Sequence, residues 1–397
     1  MKYPESLKKG DIIGICAPSG GITKPEKIQE LEEAEKQLKE MGYRIIETKS
    51  VRKEEKGRSN TAKKRAEEFM ELLKNKEVKL IIFATGGDYL MEMLDYLDLE
   101  EIKKLEPKWM QGYSDITTLE FIFNTILEIP SIYCDTIKSY AMKPLYRNLK
   151  DALKIASGEK MTQKSFEKCE KSEFNNLEDV FGDGAKKHQQ KPDVFGDGDK
   201  KHYQDPNEEK YNLTEKVEWK NINNEPKIEM QGRMIGGCLE CIKIFFGTKY
   251  DNIKNYINKY KNDGIIWYLE CFEMNSPELT RILWQMRNAG YFNNINGIIF
   301  GRSLVFRKDH DTNFIEAVKQ AIGDLNIPII YDADIGHVAP QLAIINGEIM
   351  KITSEAGKGK IIMWKAKKCL QNYWQKIKKD IEYRQTKIQQ TLGCKRR

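Results

Sequence analysis

Short apolar runs alternate with amphipathic stretches along the first 150 residues. DIIGICAP, YRIIET and VKLIIFATGG read as buried strands, and KPEKIQELEEAEKQLKEMG and TAKKRAEEFMELLKNK read as helices between them. A crossover between parallel strands has to return to the same end of the sheet, and a helix of this length does that. The pattern therefore predicts a flavodoxin- or Rossmann-like α/β domain over 1–157. Its first helix has Pro25 in the opening turn and Ile28, Leu31, Ala34 and Leu38 on one stripe. A second α/β domain is predicted over 216–365, where GIIWYLE, INGIIFG and IPIIYDAD surround SPELTRILWQMRNAG and NFIEAVKQAIG. In the first of those helices Ser276 is the expected N-cap and Pro277 the first helical residue. Leu279, Ile282, Leu283 and Met286 form its face, and Gly290 is the stop.

The segment 158–215 breaks this rhythm. It is polar and holds a tandem repeat, DVFGDGAKKHQQKP at 179–192 followed by DVFGDGDKKHYQDP at 193–206. Too few large apolar side chains are present to offset the entropy of ordering it, so it reads as a linker carrying an insert. Asp197, Asp199 and His202 raise a metal reading, but an EF-hand loop needs acids and glycine at other offsets. Residues 366–397 form a predicted basic helical tail, with Leu370, Trp374, Ile377, Ile381, Ile388 and Leu392 near coiled-coil spacing. A surface extension, a contact between two copies in a homodimer, and docking on an anionic surface all remain open for it.

Charge and cysteine content narrow the class. The tail holds ten Lys or Arg against two acidic residues, more than the whole chain's net charge of +6, so the globular part is slightly acidic. No electrostatic case for nucleic acid remains. Runs such as IIWYL fall far short of the ~20 apolar residues that span a bilayer. Lysines at the N-terminus lead straight into a first strand, which argues against a signal peptide. Eight scattered cysteines suit a reducing compartment, and a cytoplasmic protein is expected. Cys238 and Cys241 have redox or metal spacing, but no second such pair completes a zinc site, so neither metal nor cofactor is expected.

Candidate chemistry centres on WMQGYSDITTLE. Ser114 there is either a helix N-cap or a nucleophile raised on a sharp strand-to-helix turn, where freed N–H groups can stabilise an oxyanion. A serine nucleophile needs a base, and only four histidines exist. His188 and His202 lie in the repeat, His310 in a charged stretch, and His337 in a loop after an apolar strand. Gly86 and Gly87 in FATGGDYL form a second turn at which backbone N–H groups can approach a ligand. Glu270 ends the apolar run IIWYL, at the strand edge where open α/β sheets bind ligands; Glu273 is the alternative carboxylate.

GDIIGICAPSG, TGG, GYSDIT, GRMIGGCLE, FGTKY, YLE, GIIFG and DIGHVAPQ follow one another in an order that resembles the LD-carboxypeptidase family of serine peptidases, which includes the microcin C immunity peptidases. The resemblance covers both globular regions and neither the insert nor the tail. It implies a nucleophile domain followed by a domain supplying Glu and His. Carried onto this chain, Ser114 is the nucleophile, His337 the general base and acid, and Glu270 its partner, with N–H groups of Gly87 and Asp115 as the oxyanion hole. Two stretches depart from the family: YCDT at 133–136 where Gly-Pro is common, and GGCL in place of GGNL. The implied substrate is a small peptide or a peptidyl-nucleotide. LD-carboxypeptidase release of D-alanine from a cell-wall muropeptide tetrapeptide stands slightly ahead of cleavage of an aminoacyl-nucleotide amide. A non-catalytic protein that docks through its basic tail is the alternative of another class.

Overall fold

The computed structural model describes residues 1–159, 162–172 and 211–363. The tandem repeat, with His188, His202, Asp197 and Asp199, and the basic tail lie outside the described residues. The first half is built on β1 (Ile12–Cys16), β2 (Arg44–Glu47), β3 (Val78–Phe83), β4 (Trp109–Gly112) and β5 (Ser131–Tyr133). They pair in parallel in the order β2, β1, β3, β4, β5, the flavodoxin-like arrangement. All five residues of β1 are buried, and its apolar run is continuous because helices cover both faces of the sheet. Of the stripe expected from its spacing, the helix Pro25–Glu40 buries Leu31, Ala34 and Leu38 and leaves Ile28 half-buried.

The second half forms a mixed eight-stranded sheet. Its strands are β6 (Thr162–Lys164), β9 (Lys220–Asn221), β10 (Lys227–Cys238), β11 (Ile265–Glu270), β13 (Ile295–Gly301), β15 (Ile329–Ala333), β17 (Ile349–Glu355) and β18 (Lys358–Met363). At its centre β10, β11, β13 and β15 run parallel. Two small ribbons pair β7 (Lys168–Glu170) with β8 (Leu213–Lys216) and β12 (Glu273–Asn275) with β14 (Val305–Arg307). One strand crosses between halves: β16 (Ile344–Asn346) lies antiparallel on β5 and completes the first sheet.

Local signals held to within a residue at the helix Ser276–Asn288. Its N-cap is Asn275, whose side chain accepts from Glu278 N–H, so Ser276 becomes the first helical residue. Ser276 instead binds the Thr312 carbonyl, a tertiary contact that its sequence neighbours do not announce. Leu279, Ile282, Leu283 and Met286 are buried, and Gly290, at φ 78°, follows the end as expected.

The helix Thr117–Thr125 joins the halves. All nine of its residues are buried, because the first sheet lies on one side and β10 on another. Phe121 stacks on Phe245 at 5.6 Å and on Trp267 at 6.2 Å, rings from the second half. Glu120 is carried into this core, and burial holds its carboxyl group well above the usual carboxylate range, with Ser131 opposing. The folded chain therefore keeps a proton that the unfolded chain releases near pH ~4.3. Stability from this group is complete below that pH and is lost as pH rises toward the folded value. Glu120→Gln should flatten that decline: between about pH 5 and 8 its thermal midpoint should fall less than the wild type's. Parallel curves for the two proteins would show that Glu120 is ionised in the fold.

Candidate active site

The carboxyl ends of β5 and β11 meet, one from each half, where Tyr133 and Glu270 lie in hydrogen-bond contact. β4 ends at Gly112, Tyr113 stays extended, and Ser114 turns sharply with φ 64° before the 3-10 turn Ser114–Ile116 feeds the buried helix. A non-glycine residue in the left-handed region is strained, and such strain at a strand-to-helix turn is the geometry of a nucleophile elbow. The cap position of this turn is Tyr113 and Ser114 is the first residue inside it, so Ser114 does not serve as the N-cap that its neighbours allow. A cap residue needs extended backbone, which Ser114 lacks.

Asp115 pins the elbow. One carboxylate oxygen accepts from Ser19 Oγ at 2.5 Å and from Leu90 N–H at 3.0 Å, tying the turn to the loops after β1 and β3. Burial raises this carboxyl to about 6, against the lowering effect of those two hydrogen bonds. Its own N–H precedes the first hydrogen bond of the turn, which Ile116 donates to the Tyr113 carbonyl at 3.3 Å. The Gly86–Gly87 loop closes on the same point. A Cβ on Gly86 would lie 3.1 Å from Ser114 Oγ, and one on Gly87, at φ 149°, would lie 2.3 Å from Ser19 Oγ. At position 87 only glycine fits, and at 86 a side chain would crowd Ser114.

The second half supplies Glu270 and His337. Glu270 is fully buried at the end of β11 and pairs in register with Cys238 of β10. Its Oε1 accepts from Tyr133 OH at 2.6 Å, and its Oε2 lies 2.9 Å from His337 Nδ1. The imidazole packs between Tyr113 and Phe272, at ring distances of 5.0 and 4.7 Å. Gly336 makes the close approach possible: with φ 94°, any Cβ there would fall 2.5 Å from Glu270 Oε2. His337 Nε2 is buried without a hydrogen-bond partner among the described residues. Burial alone would lower the imidazole pKa, but the Glu270 charge and hydrogen bond, with Glu240 and Asp135 beyond, bring it above its ordinary value.

The remaining candidates separate. Glu273 is 3.7 Å from Arg307 in an exposed setting, and its N–H binds Glu240, so Glu270 is the carboxylate at the imidazole. His310 is exposed in a turn. Cys238 and Cys241 pack on the elbow: Cys238 N–H donates to Thr117 Oγ1 at 3.1 Å, and Cys241 Sγ lies 3.5 Å from the Ser114 carbonyl. Among the described residues no group of three or more His, Cys, Asp or Glu could hold a metal ion, and no helix is long and apolar enough to cross a membrane. Sequence reasoning missed Tyr133 and Ser19. Tyr133 was visible only as part of a departure from the family pattern, and Ser19 only as one residue of a shared motif.

Known family models match both halves of the chain. Residues 13–134 match the LD-carboxypeptidase N-terminal domain and residues 231–352 match the LD-carboxypeptidase C-terminal domain. The chain belongs to the LD-carboxypeptidase family. It is a serine-type carboxypeptidase, as that membership implies. A Vibrio cholerae protein carrying a carboxypeptidase name is 26% identical, over 86% of this chain and 92% of its own length. The Escherichia coli microcin C7 self-immunity protein MccF is 24% identical, over 85% and 89%. MccF solved in complex with aspartyl sulfamoyl adenosine shares the fold, with a TM-score of 0.66 at 20% identity, covering 91% of this chain and 98% of that one.

The strain at Ser114 can be read directly. Ser114→Gly removes the Cβ that disfavours φ 64°, and should raise the free energy of unfolding by about 1 kcal/mol in urea titration. A loss of stability would mean that the elbow is unstrained.

Proposed function

We propose that Ser114, His337 and Glu270 form a catalytic triad that hydrolyses a terminal amide bond, with D-alanine release from a muropeptide tetrapeptide as the reaction. The observations that carry this reading are the 2.9 Å contact between His337 Nδ1 and buried Glu270, and the ring of Tyr113, the residue before Ser114, at 5.0 Å from that imidazole. Glu270 holds the tautomer in which Nδ1 carries the proton and leaves Nε2 free to accept one. In the first step Ser114 Oγ attacks the substrate carbonyl as Nε2 takes its proton. Negative charge then develops on the carbonyl oxygen, where the N–H groups of Gly87 and Asp115 donate to it. The intermediate collapses as His337 returns the proton to the departing amine. Water, deprotonated by the same nitrogen, then releases the acyl group from Ser114. The family's LD-carboxypeptidase domains support D-alanine as the leaving group.

A second substrate reading is an aminoacyl-nucleotide amide. It is favoured by the likeness to MccF, solved with aspartyl sulfamoyl adenosine. The chemistry at Ser114 would be the same, and only the leaving group would differ.

Mass spectrometry separates the readings. Tetrapeptide and aspartyl sulfamoyl adenosine are each incubated with wild type and with Ser114→Ala, and the tetrapeptide should lose D-alanine with wild type alone. Cleavage of the nucleotide amide alone would favour the second reading, and inertness of wild type toward both would end the triad proposal. The pH profile gives an independent check. A base must be neutral, so kcat/KM should rise with pH through an inflection above the ordinary histidine value of ~6.5. Glu270→Gln should move that inflection down and cut kcat by about 10³- to 10⁴-fold.

A further inference from the structure

The His337 loop is gripped from outside the triad. Arg302 is the first residue after β13, and its side chain is 11% exposed. One guanidinium nitrogen lies 2.6 Å from Asp334 Oδ1, and another donates to the carbonyls of Val338 at 3.2 Å and Pro340 at 3.1 Å. The contacts bracket His337: Asp334 precedes it in the loop, and Val338 and Pro340 follow. Asp334 is itself fixed. It is fully buried, its Oδ2 accepts from Trp219 Nε1 at 2.9 Å and Phe166 N–H at 3.1 Å, and its carbonyl accepts from Leu342 N–H at 2.7 Å. Phe166 lies early in the polar segment 158–215 and Trp219 just beyond it, so three separate parts of the chain converge on one carboxylate.

We propose that Arg302 is a positioning residue for the reaction: anchored on Asp334, its planar fork holds the backbone on the far side of His337 and so fixes the imidazole against Glu270. This rests on the triad reading of Ser114, Glu270 and His337. A guanidinium presents donors in one rigid plane, which a lysine ammonium does not reproduce. Without it two carbonyls lose a charged donor, and the loop relaxes to recover hydrogen bonds. A displacement of about 1 Å at a catalytic group costs roughly 10²-fold in rate.

The test uses two readouts. A fluorophosphonate, which reacts with an activated serine whatever the natural substrate, measures how well His337 activates Ser114. The nitrogen-15 spectrum of the histidine rings reports whether Nδ1–H of His337 stays bonded to Glu270. In Arg302→Ala, labelling of Ser114 should slow by about 10²-fold, and added guanidinium should restore much of it. Arg302→Lys should recover less, and the bonded Nδ1–H signal should broaden or shift in both variants. Wild-type labelling rates in a folded Arg302→Ala protein, with an unchanged histidine spectrum, would overturn the proposal. If Arg302→Ala does not fold, Arg302→Lys and Asp334→Asn carry the same comparison. If wild type is not labelled at all, the triad reading fails, and the histidine spectra alone decide whether Arg302 holds the ring.

Discussion

A carboxylate with no access to water is the constraint around which the cleft is organised. Glu270 is fully buried, and an ion in that position is tolerated only when hydrogen bonds replace its hydration. Its two oxygens are served from different places: Tyr133 at the end of β5 in the first sheet, and His337 after β15 in the second. Neither half could satisfy Glu270 alone. The same carboxylate therefore ties the halves together and holds an imidazole by its Nδ1.

Around that carboxylate, two sheets of different topology present the same kind of edge. The first offers the loops after β1, β3 and β4, where Ser19 meets Asp115 and Gly87, and Gly86 lies against Ser114. The second offers the ends of β10, β11, β13 and β15, which carry Cys238, Glu270, Arg302 and the His337 loop. Parallel strands end on the same edge of their sheet, so backbone rigidity is inherited from the sheets, and the loops need only short spans to position their side chains. The buried helix behind Ser114 adds a wall shared by both cores.

Much of this was legible because the signals are local. Apolar runs gave the strands, the stripe Leu31, Ala34, Leu38 gave a helix face, and the passage from strand to helix at Ser114 marked a sharp turn. Whether Ser114 caps the helix was not legible locally. It turned on the φ angle of one residue, which the surrounding fold imposes and composition does not encode. The Tyr133 bond to Glu270 joins residues 137 positions apart, and the Ser19 bond to Asp115 joins residues 96 apart. Such pairs leave no periodicity to detect. The N-cap at Asn275 shows the converse: two adjacent residues could each cap, and a distant carbonyl at Thr312 claimed Ser276.

The excursion of β16 onto β5 bears on how the chain is made. During synthesis the first five strands emerge together, yet the outer edge of β5 has no neighbour until Ile344 and the residues after it leave the ribosome. Until then a row of backbone donors and acceptors stands open to other nascent chains, an invitation to mispairing. Brevity is the protection: β5 is only three residues long, too little template for a stranger to grip.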